Sequence, residues 1–340
     1  MTPNKTTALA LFSGGLDSTL ACRVVMAQGI KVVAVKFVTP FFGYELLTKQ
    51  EEYIQHIKKS ASIDVVLKDG TLPYLELLKN PAHGFGKHFN PCIDCKIFLL
   101  TEAKKMMPEI GASFLVTGEV IGQRPMSQRR DTLRIIERDS CCEGLLVRPL
   151  CAKNLEPTRA ELEGFIDREQ LLDFSGRNRK PQMQLAEQFN ITDYPSPAGG
   201  CILADPVLGQ RIQEYYETHE DISPEDILLM MVGRQFKLPS GAWLVVGRNH
   251  SENIKIANLR LPEDWLLEPK EIPGPSAILR YSSGEEDLEI AASIVVRYAK
   301  KSAVGQGSAM ITADKNSITR EMEVYGLDDA TCQAWIKKQS

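Results

Sequence analysis

The chain has 340 residues, 43% of them hydrophobic and 25% charged, with a formal net charge of −4. That length and balance exclude a disordered or fibrous polypeptide and suit two or three domains, each with a core of its own. A mildly acidic total also means that any nucleic-acid binding needs a local basic patch. No leading segment reads as a signal peptide and no apolar run is long enough to span a bilayer. The expectation is a cytoplasmic protein that does not engage a membrane. In that compartment the eight cysteines, Cys22, Cys92, Cys95, Cys141, Cys142, Cys151, Cys201 and Cys332, point to metal, redox chemistry or buried packing before structural disulfides.

The first predicted strand is Ala8–Phe12. Ser13-Gly14-Gly15-Leu16-Asp17-Ser18 follow it and lead into a predicted helix over Asp17–Gln28, with Cys22 in its apolar stretch. Strand, glycine turn and helix start in that order make a phosphate cradle. The glycines let backbone N–H groups approach an anion, and the helix N-terminus adds the positive end of its dipole. Ser13 and Ser18 add hydroxyls, and Asp17 can hold a magnesium ion. The GxxxxGK[ST] loop of kinase-type sites is absent. Further strands are predicted at Lys31–Val38, Ile63–Leu67, Phe114–Thr117 and Leu145–Arg148, with helices at Glu45–Ser60 and Ile97–Met107. This alternation argues for an α/β fold built on an open, mostly parallel sheet with helices on both faces. Ligands of such sheets bind beyond the carboxyl ends of the strands, where Ser13–Ser18 falls. Phe37 and Val38, ending the second strand, are expected to wall an adenine.

Asn90-Pro91-Cys92-Ile93-Asp94-Cys95-Lys96 is a CxxC turn running into a helix, whose N-terminus favours thiolates. Cys201, preceded by Gly199-Gly200 in the proline- and glycine-rich stretch Pro195–Cys201, is the third notable cysteine. Three readings stand. Cys92, Cys95 and Cys201 ligate three irons of a [4Fe–4S] cluster and leave the fourth open to sulfide. Alternatively, Cys95 and Cys201 carry and resolve a persulfide without metal. Or the CxxC belongs to a structural zinc site, for which no second CxxC or CxxH supplies the remaining ligands. Cys141-Cys142 reads as a pair at a strand edge.

Beyond Pro149 a capping box, Thr158 to Glu161, predicts a helix over Thr158–Leu172. Arg177-Asn178-Arg179-Lys180 before Pro181 reads as a basic linker, and Ser223-Pro224-Glu225-Asp226 as a helix start. The expected organisation is a nucleotide domain at 1–175, a linker with the cysteine loop at 176–220, and a smaller α+β domain at 221–340. Arg124, Arg129, Arg130, Arg134 and Arg138 form one basic cluster, and Arg177, Arg179 and Lys180 another. Each is able to engage phosphates, or simply to face solvent.

The turn at Ser13–Ser18 resembles the PP-loop of ATP pyrophosphatases. Together with Cys95-Lys96-Ile97-Phe98, Thr117-Gly118-Glu119-Val120-Ile121-Gly122-Gln123 and Val147-Arg148-Pro149-Leu150, it resembles the catalytic domain of tRNA 4-thiouridine synthases. Asn90-Pro91-Cys92 with Cys95, and Gly200-Cys201, are similar to the cysteine positions of tRNA 2-thiouridylases. The resemblance, over roughly the first 205 residues, implies a sheet of the adenine nucleotide α-hydrolase type. It implies ATP held by Ser13, Gly14, Gly15, Asp17 and Ser18, with Thr117 and Gly118 close to the nucleotide and Mg²⁺ as companion. It implies sulfur chemistry at Cys92, Cys95 and Cys201, with the [4Fe–4S] cluster as the first reading. The activity implied is adenylation of a uridine carbonyl in tRNA followed by sulfur insertion, releasing AMP and pyrophosphate. Partners implied are tRNA and a sulfur donor, either sulfide or persulfide from a cysteine desulfurase; a homodimer is left open.

The resemblance has departures. The RNA-binding region that 4-thiouridine synthases carry before the loop is expected to be missing, as is a rhodanese-like extension. The segment from Trp243-Leu244-Val245-Val246-Gly247-Arg248-Asn249 through Glu252-Asn253, with Trp265, Gly274-Pro275 and a helix at Glu289–Ala299, is similar to the NFACT-R type of RNA-binding domain. That likeness implies a substitute RNA reader. Two other functions compete: a PP-loop ligase acting on a small molecule, and a non-enzymatic RNA-binding factor that uses ATP as a switch.

Overall fold

A computed structural model describes residues 6–195, 201–299 and 308–336, and the chain divides into two units between Ala204 and Asp205. In the first unit β1 (Thr7–Leu11), β2 (Lys31–Val38), β3 (Asp64–Asp69), β4 (Phe114–Thr117) and β5 (Leu146–Val147) form one parallel sheet in the order β3-β2-β1-β4-β5. These strands read as apolar runs because both faces of the sheet are covered. Side chains alternate between faces along a strand. Ala8 and Ala10 accordingly belong to one hydrophobic cluster, with Leu20 and Val24, while Leu9 belongs to the other, with Leu100 and Leu115.

The covering helices are α1 (Leu16–Met26), α2 (Gln50–Ala61), α3 (Thr71–Leu77), α4 (Cys92–Ile110), α5 (Arg130–Asp139), α6 (Arg159–Leu162) and α7 (Lys180–Gln188). The chain winds outward from β1 to β3 and then resumes on the other side of β1 with β4. The carboxyl ends of β1 and β4 therefore flank the switch point at which such sheets bind ligands.

Several expectations are corrected. The helix expected at Ile97–Met107 starts five residues earlier, at Cys92, so both thiols of the CxxC lie in its first turn. The helix expected over Thr158–Leu172 stops after Leu162. Its capping box forms, but Gly164 turns with φ +73°, and the N–H groups of Phe165 and Ile166 both donate back to the Ala160 carbonyl. That closure brings Ile166 into the core. Glu45–Ser60 is interrupted, a 3₁₀ turn at Tyr44–Thr48 preceding α2. Lys180, expected in a linker, begins α7 instead, with Pro181 in its first turn. Cys141 and Cys142 follow α5 in a turn: Cys141 is exposed with φ +53°, and Cys142 is buried.

The second unit holds an antiparallel sheet of β6 (Arg234–Lys237), β7 (Trp243–Val246), β8 (Trp265–Pro269), β9 (Ala277–Arg280), β10 (Ser308–Lys315) and β11 (Ile318–Tyr325), in the order β11-β10-β8-β9-β7-β6. Helices α8 (Pro206–Thr218), α9 (Pro224–Met230), α10 (His250–Asn258), α11 (Glu285–Tyr298) and α12 (Asp329–Trp335) accompany it. Phe236, Leu244, Leu267, Leu279, Leu288 and Val295 build its core. Inside it, Arg280 is buried between Asp226 and Asp264, and Asp226 also completes the capping box of Ser223. The helix expected at Glu289–Ala299 opens four residues earlier, at Glu285. Among the described residues no helix is long and apolar enough to cross a membrane.

Candidate active site

After Leu11 the chain turns through Ser13–Gly15 into α1. Gly14 holds φ +83°, a conformation L side chains rarely adopt, and a Cβ there would also stand 3.0 Å from Tyr53 Oη. Ser18 Oγ donates to the Gly15 carbonyl at 2.8 Å and lies 3.1 Å from Ser13 Oγ. No side chain caps α1 at Gly15, which leaves the N-terminus of an 11-residue helix to an anion. Gly118, just past β4, packs on the same turn: a Cβ there would be 2.5 Å from the Asp17 carbonyl oxygen and 2.6 Å from the Ser18 nitrogen.

A cavity of about 430 Å³ opens at this point. Its lining includes Ser13, Asp17 and Ser18 from the turn, Thr117 and Gly118 after β4, and Cys92, Cys95 and Cys201. The expected phosphate cradle and the three expected thiols thus share one cavity. Phe12, Phe37, Phe41, Phe42, Tyr74 and Leu99 supply apolar wall. Phe37 lines the cavity; Val38 is fully buried and does not line it, because adjacent strand residues face opposite ways. Ser196-Pro197-Ala198-Gly199-Gly200, expected to bring Cys201 close, lie outside the described residues.

Cys92 and Cys95 are three residues apart in the first turn of α4, which puts them on one side of the helix. Asn90, buried, donates its amide to Cys92 Sγ at 3.2 Å and to Met126 Sδ at 3.3 Å. Burial pushes the Cys95 thiol up to about 11, against the lowering influence of the Tyr74 hydroxyl and Lys96. Three thiols around one cavity suit the donor set of an iron–sulfur cluster with one iron left open. Among the described residues no three His, Cys, Asp or Glu side chains converge as they would on a single metal ion. Cys22, by contrast, is core, its thiol pushed up to about 12 by burial.

The cavity is also lined by Lys36 and Gln128, which the sequence did not single out, and by Glu119. Lys36 donates its ammonium to the Ser13 carbonyl at 2.7 Å, and burial lowers its pKa. Gln128 is buried in the wall with its side-chain carbonyl oxygen unpartnered. Glu119 is buried beside Lys96 at 3.4 Å and accepts from Arg148 Nε at 3.0 Å. Burial alone would raise the Glu119 carboxyl, but Lys96 and Arg148, with hydrogen bonds from Arg148 and Thr117, hold it below the usual carboxylate range. No motif marks Lys36 or Gln128; only the folded sheet gathers them.

Of the first basic cluster only Arg124 lines this cavity. Arg129 pairs with Asp131 and Arg138 with Asp139. Arg130 donates to the Asn154 carbonyl, and with Arg134 it borders a separate cavity of about 120 Å³. Asp17 fits a divalent cation: one carboxylate oxygen, Oδ1, is buried with no partner.

A glycine turn at the switch point of a parallel sheet thus shares one cavity with three thiols. Residues 4–157 match the family model described as thiamine biosynthesis protein (ThiI), and residues 233–336 match that of the NFACT protein RNA binding domain. Two separate stretches of the chain are thus similar to two different family models. A "Probable tRNA sulfurtransferase" of Thermococcus kodakarensis is 28% identical over 137 residues, 39% of this chain and 34% of that protein. A protein of the same name from Ureaplasma parvum is 30% identical over 153 residues, 44% of this chain and 37% of that one. The chain spans about a third of the length of these curated relatives. A solved 4-thiouridine synthetase in complex with RNA and bound ATP aligns with a TM-score of 0.37 and 22% identity, over 62% of this chain and 50% of that one.

Proposed function

We propose that the chain is a tRNA sulfurtransferase: it adenylates a uridine carbonyl oxygen with ATP and replaces that oxygen by sulfur, releasing AMP and pyrophosphate. The observation that carries this reading is the single cavity lined by Ser13, Asp17 and Ser18 and also by Cys92, Cys95 and Cys201. The ThiI-type domain and the names of its relatives support it. The NFACT-R-type domain supports tRNA as the substrate, and a tRNA substrate goes with a cytoplasmic location.

A carbonyl oxygen leaves poorly on its own, and adenylation converts it into part of AMP, a good leaving group. Ser13, Gly14, Gly15 and Ser18, with the N-terminus of α1, bind the polyphosphate. Asp17 would hold Mg²⁺, which supplies positive charge to a departing pyrophosphate when bound. Lys36 adds a cation beside the same turn. Phe12, Phe37 and Phe41 receive flat bases, and the unpartnered carbonyl of Gln128 offers an acceptor to the adenine amino group. The target uridine must leave its stack to enter.

Cys92, Cys95 and Cys201 would hold a [4Fe–4S] cluster, which supplies an open iron able to present sulfide. Asn90 fixes Cys92 through its amide, and the Tyr74 hydroxyl hydrogen-bonds Cys95. Purified chain, kept anaerobic with ATP, Mg²⁺, sulfide and unmodified tRNA, is expected to release pyrophosphate and form a thionucleoside. Cys201→Ala is expected to lose thiolation and keep ATP binding. No pyrophosphate and no thionucleoside would overturn the reading. An iron-free chain that thiolates with a cysteine-desulfurase persulfide as donor, and not with sulfide, would move the sulfur to a persulfide on Cys95 or Cys201: the desulfurase thiol leaves as its outer sulfur is passed on, and the other cysteine closes a disulfide as that sulfur goes to the uridine.

A further inference from the structure

Asp17 lines the cavity, but two side chains that touch it do not. Its Oδ2 accepts from Gln123 Nε2 at 2.9 Å and lies 3.6 Å from the Arg179 guanidinium. Three further polar atoms of the group, Asp17 Oδ1, Gln123 Oε1 and Arg179 Nε, are buried without a hydrogen-bond partner. Buried polar atoms are normally satisfied, and three orphans around one carboxylate mark a place where a ligand is missing. Their polarity describes it. Two oxygens call for a hard cation, and one guanidinium N–H calls for an anionic oxygen.

The chain holds this cluster deliberately. Gln123 comes from the loop after β4. Arg179 is the N-cap residue of α7, which packs against α1 and so brings its end to the first turn where Asp17 sits. The intervening segment is stitched to the loop: Ile121 bridges Ser175, and the Gly176 N–H donates to the Ile121 carbonyl at 2.8 Å. Gly122 (φ +76°) and Gly176 (φ +74°) allow that approach, since a Cβ on Gly122 would stand 3.5 Å from the Gly176 nitrogen.

We propose that Gln123 and Arg179 complete the polyphosphate half of the site. The Gln123 carbonyl joins Asp17 around the divalent cation, and Arg179 gives its guanidinium to an oxygen of the diphosphate that departs from ATP. Without ligand Arg179 rests on Asp17; with ligand the cation takes that place and the arginine turns to the phosphate. This inference rests on the ATP reading of the Ser13–Ser18 turn.

The test is calorimetric titration of the intact chain with inorganic pyrophosphate and, separately, with AMP, both in Mg²⁺. Arg179→Ala is expected to weaken pyrophosphate about ten- to a hundredfold and to leave AMP binding unchanged, which also shows that the variant is folded. Arg179→Lys recovers part of the loss, a point charge replacing a planar fork. Gln123→Ala raises the Mg²⁺ concentration needed for half-maximal pyrophosphate binding. Unchanged pyrophosphate affinity in Arg179→Ala, or an equal loss of AMP and pyrophosphate, would overturn the assignment and leave Arg179 a structural partner of Asp17. A native chain that binds neither ATP nor pyrophosphate would overturn the underlying nucleotide reading instead.

Discussion

Gly118 is a residue whose chemistry is entirely its lack of a side chain. Its constraint is space rather than backbone conformation, because a Cβ would meet the Asp17 carbonyl and the Ser18 nitrogen at 2.5 and 2.6 Å. Those are backbone atoms of the turn itself, so they cannot yield cheaply. Gly118→Ala is expected to lever the loop after β4 away from α1 and to destabilise the protein by about 1–3 kcal/mol. ATP affinity should fall by more than tenfold; titration and thermal unfolding read the two effects, and an unshifted affinity would show that the loop can move aside. Ser13, Asp17 and Ser18 were legible because a turn between strand and helix is local. Lys36 and Gln128 were not, since their proximity to that turn depends on how β2 and the loop after β4 fold beside it.

At the scale of elements, one buried chain of charge ties four of them together. Lys96 belongs to α4, Glu119 follows β4, Arg148 follows β5, and Glu137 lies on α5. Removing the Glu119 charge takes one of two carboxylate partners from the buried Arg148 and the partner of the half-buried Lys96. Glu119→Gln is therefore expected to cost about 3 kcal/mol at neutral pH. The Glu119 carboxyl is held below its usual value, so its contribution is complete above about pH 4.3 and is lost as pH falls through the lower folded value. Urea midpoints of native and variant chains should differ widely at pH 7 and converge in acid; a gap independent of pH would mean the charge is not what matters. Element boundaries were legible where a local signal acts alone, as at Lys31–Val38. They failed where a distant contact decides: the capping box at Thr158 starts a helix, but the Gly164 turn and the burial of Ile166 end it after one turn.

At the scale of the molecule, the two units have separate cores, one in two layers around the parallel sheet and one on the antiparallel sheet. Phe236 is fully buried in the second. Phe236→Ala is expected to destabilise that unit by about 3–5 kcal/mol, lowering its unfolding transition in calorimetry while ATP binding by the first unit stays unchanged. Joint loss of both would show that the cores are not independent. By itself the sequence determined the parallel α/β architecture, since apolar strand runs alternating with helical stretches are written residue by residue. It also determined the glycine turn between β1 and α1, where glycine positions and a following helix suffice. Only the tertiary structure decided which thiols, cations and orphaned oxygens share one cavity. Cys92 and Ser13 are far apart along the chain, and no local rule says that the ends of β1, β4 and the start of α4 meet. That meeting follows from the sheet order, which is settled by packing both faces at once.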